Sequence, residues 1–407
     1  MKAPSITSPK KQIPSSFFFA IFALPISFFA QADDPAVAHI RTDKSFTVTR
    51  FADKQYVDNP IALSMDKAGA LFVAEARRFQ KGVEDTRSKS FWMMDELAIQ
   101  STADRLAQYK KWTAAGKFSP DHFTNTADRI VKISDSDGDG IADVRSMFSD
   151  SFREPLDGNG ASVLAHHGKV YYTNIPNLWL LEDDDQDGIA DSRVSLQDGF
   201  GLRSGVNGHD MHGLEFGPNG KLYWSIGDRG YNFVTKEGKH LKDAETGAVF
   251  RCDPDGSNIE VFCRGNRNPQ DLAFDAYGNL FTVDNNQGGG DRPRICYLVE
   301  GGDYGWNSGC TNLITFRTPA GLSDLKGPRV QPAYVAESHW KQAFPEQPAH
   351  VIPAIDFIDG GCAGLTYVPG ASLGNAYQQH FVFSALSRGI KSFSFSPEGA
   401  GFSMVDY

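Results

Sequence analysis

The sequence predicts an all-β fold: a β-propeller of about six four-stranded blades, with a helical insertion near residues 80–127. Three observations carry this. Residues 59–78, 212–230 and 268–286 align on an alanine–leucine or leucine position, a turn glycine and a closing acid. Residues 129–145 (RIVKISDSDGDGIADVR) and 177–193 (NLWLLEDDDQDGIADSR) align without gaps at a spacing of 48 residues. The intervening turns are rich in Gly, Asp and Asn, and the alternating helices that a parallel sheet would need are missing. A β-sandwich offers no reason for a period of that length.

Taken in order, residues 1–32 have the layout of an export signal. Lys2, Lys10 and Lys11 give a basic start, Phe17 to Ala30 an apolar core too short for a comfortable membrane span, and Ala30-Gln31-Ala32 a small-x-small cleavage pattern. The propeller is expected over residues 33–407. Within it, DELAIQSTADRLAQYKKW (95–112) places Leu97, Leu106 and Tyr109 at helical spacing among good helix formers, which marks the insertion from the first blade. The chain ends at SFSFSPEGAGFSMVDY, so either the first strands close the ring or the chain is a shortened version of something longer.

A net charge of −10 argues against nucleic acid as a partner, and Asp-rich clusters suit a divalent cation better. No later stretch is apolar over enough residues to span a membrane. The five cysteines form neither a CxxC nor a CxxCH, so a zinc ribbon and a covalently attached haem are not encoded. Cys252 and Cys263 flank the turn at Asp255-Gly256; a disulfide across that hairpin and two unpaired thiols are both compatible with the spacing.

Two loops have metal-ligand spacing. Asp135, Asp137, Asp139 and Asp143 occupy positions 1, 3, 5 and 9 around Gly140; Asp183, Asp185, Asp187 and Asp191 repeat this around Gly188. Alternate carboxylates converge on one point and the all-oxygen set favours Ca²⁺, in a structural role. Position 12 is Ser146 or Val194, so neither loop is an EF-hand, and a solvated acidic turn is the plain alternative.

The other polar cluster lies in the repeats themselves. His209, Arg229, Arg267 and Asn268 interrupt apolar strands that need no such groups. His212 reads as structural, His166-His167 as a turn, Trp306 as packing between blades, and Asn268-Pro269 reads equally as a turn device.

HDMHGLEFGPNGKLYWSIGDRG, GNRNPQDLAFDAYGNLFTVDNNQGGGD and GGDYGWN resemble the soluble quinoprotein glucose/sorbosone dehydrogenases, over most of residues 45–400. The match is similar most of all to a membrane-bound dehydrogenase family of planctomycete-type bacteria. The resemblance implies oxidation of a sugar or alcohol hydroxyl by hydride transfer to pyrroloquinoline quinone (PQQ). In it His209 is the base, Arg267 with Asn268 stabilises charge on the quinone, and Arg229 and Arg388 contact the cofactor. Gly288 and Gly289 stand where the family holds the Ca²⁺ that polarises PQQ. It also implies a separate cytochrome c or other electron acceptor and a periplasmic or secreted location. The chain departs from the family in having Gly289 for a proline and Arg229 for an amide, with no matching cofactor lysine. Two other readings remain: a propeller module that binds glycan or protein, and a calcium-dependent lactonase-type hydrolase.

Overall fold

The computed structural model describes residues 34–405 except 43–44, 287–290, 325–330, 348–350 and 387, and the side chains of 310, 313 and 314 are also outside it. The expected leader and its cleavage point near Ala32 lie outside the described residues. The chain divides into two compact units, Met1–Arg50 and Phe51–Tyr407. In the first, residues 34–50 run as turn and coil, with Arg50 paired to Asp34 at 2.9 Å.

The second unit is a β-propeller assembled in chain order from antiparallel sheets. The first sheet holds β1 (Pro60–Met65), β2 (Leu71–Glu75), β3 (Asp128–Ser134) and β4 (Val144–Phe152). The second holds β5 (Gly160–His166), β6 (Lys169–Asn174), β7 (Asn177–Glu182) and β8 (Ser192–Gln197). In the third, β9 (Met211–Phe216) and β10 (Leu222–Ile226) are separated in sequence from their partners by a two-stranded hairpin, β11 (Tyr231–Val234) and β12 (His240–Asp243). Those partners are β13 (Gly247–Cys252) and β14 (Glu260–Asn266).

The fourth sheet holds β15 (Pro269–Phe274), β16 (Leu280–Asp284), β17 (Arg294–Leu298) and the short β18 (Asp356–Phe357). The fifth holds β19 (Gly361–Tyr367), β20 (Phe381–Leu386), β21 (Gly389–Glu398) and β22 (Gly401–Val405). Neighbouring sheets meet along their first strands: β1 on β5, β5 on β9, β9 on β15, β15 on β19. Five four-stranded sheets are thus described where the chain length left beside the helical insertion suggested about six. The difference in chain length goes into the β11–β12 hairpin and the long excursion between β17 and β18.

The repeat has a local cause. At the β9–β10 and β15–β16 turns the N–H of Gly217 or Asp275 is donated to the carbonyl of Lys221 or Asn279. Gly220 (φ 75°) and Gly278 (φ 85°) take the left-handed conformation that such turns require and that a β-carbon disfavours. Between the second and third sheets the core is aromatic: Trp224 is fully buried and stacks on Phe250, with ring centres 5.5 Å apart.

The helical insertion is present but broken. After two short 3₁₀ turns, α1 (Met93–Ala98) ends at Ile99, and Ser101 caps a separate α2 (Thr102–Ala114) by accepting from the Asp104 N–H at 3.2 Å. Trp92, Tyr109 and Phe123 pack beneath it. Among the described residues no helix is long and apolar enough to cross a membrane.

Cys252, Cys263, Cys296 and Cys362 are free thiols. Cys252 and Cys263 cannot pair because they point to opposite faces of the third sheet. Cys263 lies opposite Val249 and joins the cluster of Tyr223 and Leu272, whereas Cys252 lies with Phe250 and Trp224.

Candidate functional site

His209 lies in the loop that enters β9, and Asp228 in the loop that leaves β10, so one hairpin brings the two together. His209 Nδ1 and Asp228 Oδ1 are 2.6 Å apart and both side chains are buried. The other carboxylate oxygen, Oδ2, accepts the indole N–H of Trp306 at 2.9 Å and the hydroxyl of Thr311 at 3.1 Å. Both donors come from the excursion after β17, Thr311 from the first turn of α3 (Gly309–Phe316).

Arg267 and Asn268 stand on the link from β14 to β15. The Asp228 N–H is donated to the Arg267 carbonyl at 2.8 Å. The N–H groups of Arg267 and Asn268 are donated in turn to Asp284 Oδ1, at 3.0 and 2.7 Å. Arg294 holds Asp284 through Nε and a terminal nitrogen, at 3.0 and 2.8 Å. The backbone carrying the two candidate residues is therefore fixed by a buried ion pair.

The Arg267 guanidinium carbon is 5.4 Å from the centre of the Trp306 ring. His209 and Asn268 flank Gly227, where a β-carbon would come within 2.7 Å of His209 Cβ and 3.0 Å of Asn268 Oδ1. Arg267 Nε and Asn268 Oδ1 are buried and have no hydrogen-bond partner among the described residues.

Burial, then the nearby Arg267 charge, lower the His209 pKa below the usual histidine range, against the opposing pull of Asp228. Burial alone would raise the Asp228 carboxyl. The charge and hydrogen bond of His209, with Arg267 and the Trp306 N–H, outweigh it and bring the pKa to about 2. The arrangement is a neutral imidazole that donates Nδ1–H to a carboxylate, which leaves Nε2 as the proton acceptor.

Other expected site residues are placed elsewhere. Arg229 is buried and spent on structure: it pairs with Asp210 and donates Nε–H to the Arg203 carbonyl at 3.0 Å. Asp210 also accepts from Asn159 at 3.0 Å. Arg388 is exposed in the turn between β20 and β21. Gly288 and Gly289 lie outside the described residues. His212 is buried against the Gly208 carbonyl, 3.0 Å from Nε2, in keeping with a structural part. Trp306 does more than pack, since it hydrogen-bonds the carboxylate behind His209.

In the Asp loops, carboxylate oxygens of Asp135, Asp137 and Asp139 lie within 4.8 Å of one another, and so do those of Asp183, Asp185 and Asp187. Oxygens that share one Ca²⁺ at about 2.4 Å are separated by no more than roughly twice that distance, so both triplets fit the ion. The ninth-position acids are not members of these triplets. Asp143 accepts from the Ser136 N–H and hydroxyl at 2.8 and 2.6 Å, and Asp191 from the Asp184 N–H at 2.7 Å, so each closes its loop.

A family model described as "Domain of unknown function (DUF7133)" matches residues 32–406. Quinoprotein glucose dehydrogenase B of Acinetobacter calcoaceticus is 33% identical over 124 residues, which is 24% of this chain and 26% of that protein's length. The PQQ-bound aldose sugar dehydrogenase of Streptomyces coelicolor aligns over 85% of this chain and 79% of its own, at 14% identity and a TM-score of 0.46. The soluble aldose sugar dehydrogenase of Escherichia coli, in its apo form, aligns over 71% and 83%, at 14% identity and a TM-score of 0.44.

Proposed function

We propose that this chain, which belongs to the DUF7133 family, is a quinone-dependent oxidoreductase that oxidises a sugar or alcohol hydroxyl. The observation that carries the reading is the buried His209–Asp228 pair with Arg267 and Asn268 beside it. The name of the Acinetobacter calcoaceticus relative supports it over the aligned stretch.

His209 takes the hydroxyl proton at Nε2 while Asp228 holds the ring in the required tautomer and balances the imidazolium that forms. Arg267 and Asn268 would hold PQQ: the buried Arg267 Nε donor, without a partner among the described residues, suits an anionic, carbonyl-bearing ring, and Asn268 Oδ1 would accept from an N–H or O–H of what binds there. When bound, PQQ would supply the acceptor for the hydride that leaves the carbinol carbon. Burial, and after it the Arg267 charge, favours neutral His209, so the residue that favours negative charge in the site helps ready the base as well. Arg229 serves by fixing the loop that leads to His209, not by touching the cofactor.

Ca²⁺ would occupy the loops at Asp135–Asp139 and Asp183–Asp187 as a structural ion. A periplasmic or secreted location and a separate electron acceptor, a cytochrome c or another carrier, belong to the same proposal.

The test is a titration of the chain with PQQ, with and without Ca²⁺, following quinone absorbance while aldoses and alcohols reduce a dye. Calcium-dependent binding with dye bleaching supports the reading. A folded chain that binds no PQQ overturns it.

A further inference from the structure

The two Asp loops share a spacing but not a setting. Each donates the N–H of its alanine to chain outside the loop: Ala142 to the Phe51 carbonyl at 2.7 Å, Ala190 to the Phe148 carbonyl at 2.8 Å. Phe51 lies on the approach to β1 of the loop's own blade, whereas Phe148 lies on β4, so the second loop crosses to the neighbouring sheet. Two more bonds make the same crossing. The Ser146 hydroxyl on β4 donates to the Gly188 carbonyl at 2.7 Å, and Arg193 on β8 donates to the Asp150 carbonyl at 3.2 Å. The approach at Gly188 is close: its φ is 86°, and a β-carbon there would come within 2.8 Å of Ser146 Oγ.

The first carboxylate of each loop differs as well. At position 4 the first loop has Gly138, whose N–H is donated to Asp135 Oδ1 at 2.7 Å; the Gly140 N–H takes Oδ2 at 2.8 Å. The second loop has Gln186 at that position. The Gly188 N–H still reaches Asp183 Oδ2, at 3.0 Å, but Oδ1 is buried with no hydrogen-bond partner among the described residues. The Asp183 side chain is 9% exposed, and Asp183 belongs to the triplet with Asp185 and Asp187. A buried carboxylate oxygen without a donor is unfavourable, and within an all-oxygen triplet a hard cation is its natural partner.

Lys132, on β3 of the first sheet, brings a charge to the same place. Its Nζ is 3.9 Å from Asp183 Oδ2, beyond hydrogen-bond length, and 5.5 Å from the centre of the Phe72 ring. An ammonium at that distance offsets part of the carboxylate charge and repels a second cation.

We propose that the Asp183 loop is a calcium-operated clasp between the first and second sheets, and that Lys132 is a tethered cation that tunes its affinity. Ca²⁺ satisfies Asp183 and stiffens the loop, and with it the bonds at Ala190 and Gly188 that hold β4. The Asp135 loop, whose first carboxylate is already satisfied, steadies its own turn. The clasp bears on the base as well. The helical insertion leaves the first sheet between β2 and β3, and Glu96 and Asp85 accept the Gly205 and Asn207 N–H groups ahead of His209, at 2.7 and 3.1 Å. The inference rests on the calcium reading above and is independent of turnover.

The experiment is calorimetric titration of the full chain with calcium, beside hydrogen exchange read by mass spectrometry in calcium and in EGTA. Calcium should protect the outer strand β4 as well as residues 183–191. Asp183→Asn and Asp185→Asn should each abolish the protection of β4, and Asp135→Asn should leave it. Lys132→Met should tighten the site about tenfold, a gain of about 1.4 kcal/mol, whereas Lys132→Arg should bind as the unaltered chain does. Protection of β4 that survives both Asp183→Asn and Asp185→Asn overturns the clasp. An affinity unchanged in Lys132→Met overturns the part given to that residue. A folded chain that binds no calcium sinks the calcium reading and the clasp together, whereas binding without protection of β4 sinks the clasp alone.

Discussion

Trp306 and Asp228, 78 residues apart in sequence, are joined by a 2.9 Å hydrogen bond from the indole N–H to Oδ2, the carboxylate oxygen that His209 does not use. Asp228 thus meets a donor from its own hairpin on one side and two donors from the excursion after β17 on the other. Trp306→Phe keeps the ring beneath Arg267 and removes only the hydrogen bond; Thr311→Val does the same for the hydroxyl. Each leaves the carboxylate more basic, which raises the His209 pKa. The acidic limb of kcat/KM should move to higher pH in both, with kcat several-fold lower, as read from full pH profiles. A limb that stays in place would mean that these donors do not act through Asp228.

The unaltered chain should show its acidic limb below about 6.5, the ordinary histidine value, because burial and Arg267 disfavour the imidazolium. The base is active when neutral, so a lower pKa extends activity to lower pH. Removing the Arg267 charge raises that pKa, and Arg267→Met should shift the limb upward as well as weaken PQQ binding. Asp228→Asn loses the charge that balances the imidazolium, and kcat should fall by about 10²- to 10⁴-fold while quinone affinity, followed by absorbance, changes little. Loss of PQQ binding in Asp228→Asn would point to a cofactor ligand and not to a partner of the base.

Arg229 and Asp210 form a buried ion pair. Arg229→Met leaves the Asp210 carboxylate buried without its cation, so urea unfolding should show a loss of about 3–5 kcal/mol. Arg388→Ala, at an exposed turn, should change stability by less than about 0.5 kcal/mol. A cofactor contact at Arg229 predicts the reverse: little loss of stability and a large loss of PQQ affinity.

Calcium should stabilise the chain whether or not PQQ is present. At a concentration of one hundred times Kd, a single site contributes about 2.7 kcal/mol, and removal by EGTA lowers Tm accordingly. Asp135→Asn with Asp137→Asn, and the same changes at Asp183 and Asp185, should each abolish part of the calcium-dependent shift. Thermal unfolding that ignores both EGTA and the variants would return the loops to plain acidic turns.

The blade repeat was legible because each hairpin records its own turn chemistry: Gly220 and Gly278 recur where the chain must turn, and the closing acids Asp228 and Asp284 recur with them. The same recurrence pointed to the site, since His209, Arg267 and Asn268 interrupt it. What those acids do was not legible, for Asp284 accepts backbone N–H groups and Asp228 orients a histidine from equivalent positions. Trp306 and Thr311 sit in a stretch with no periodicity, so nothing in their spacing announces that they meet Asp228. Spacing alone also did not tell that Asp143 and Asp191 accept N–H groups of their own loops. At Cys252 and Cys263 it brought the residues close in sequence but could not say which face of the sheet each would take.

Within the sheets most strands pair with the strand before them in the chain. The base is different. His209 and Asp228 can meet as soon as one hairpin closes, but Trp306 and Thr311 arrive only once the fourth sheet has formed and its excursion has docked back onto the third. If His209 is the base proposed above, proton-accepting competence should be a late reporter of refolding. A refolding chain should regain its strand signal before it regains turnover, and the interval between the two times the docking of that excursion.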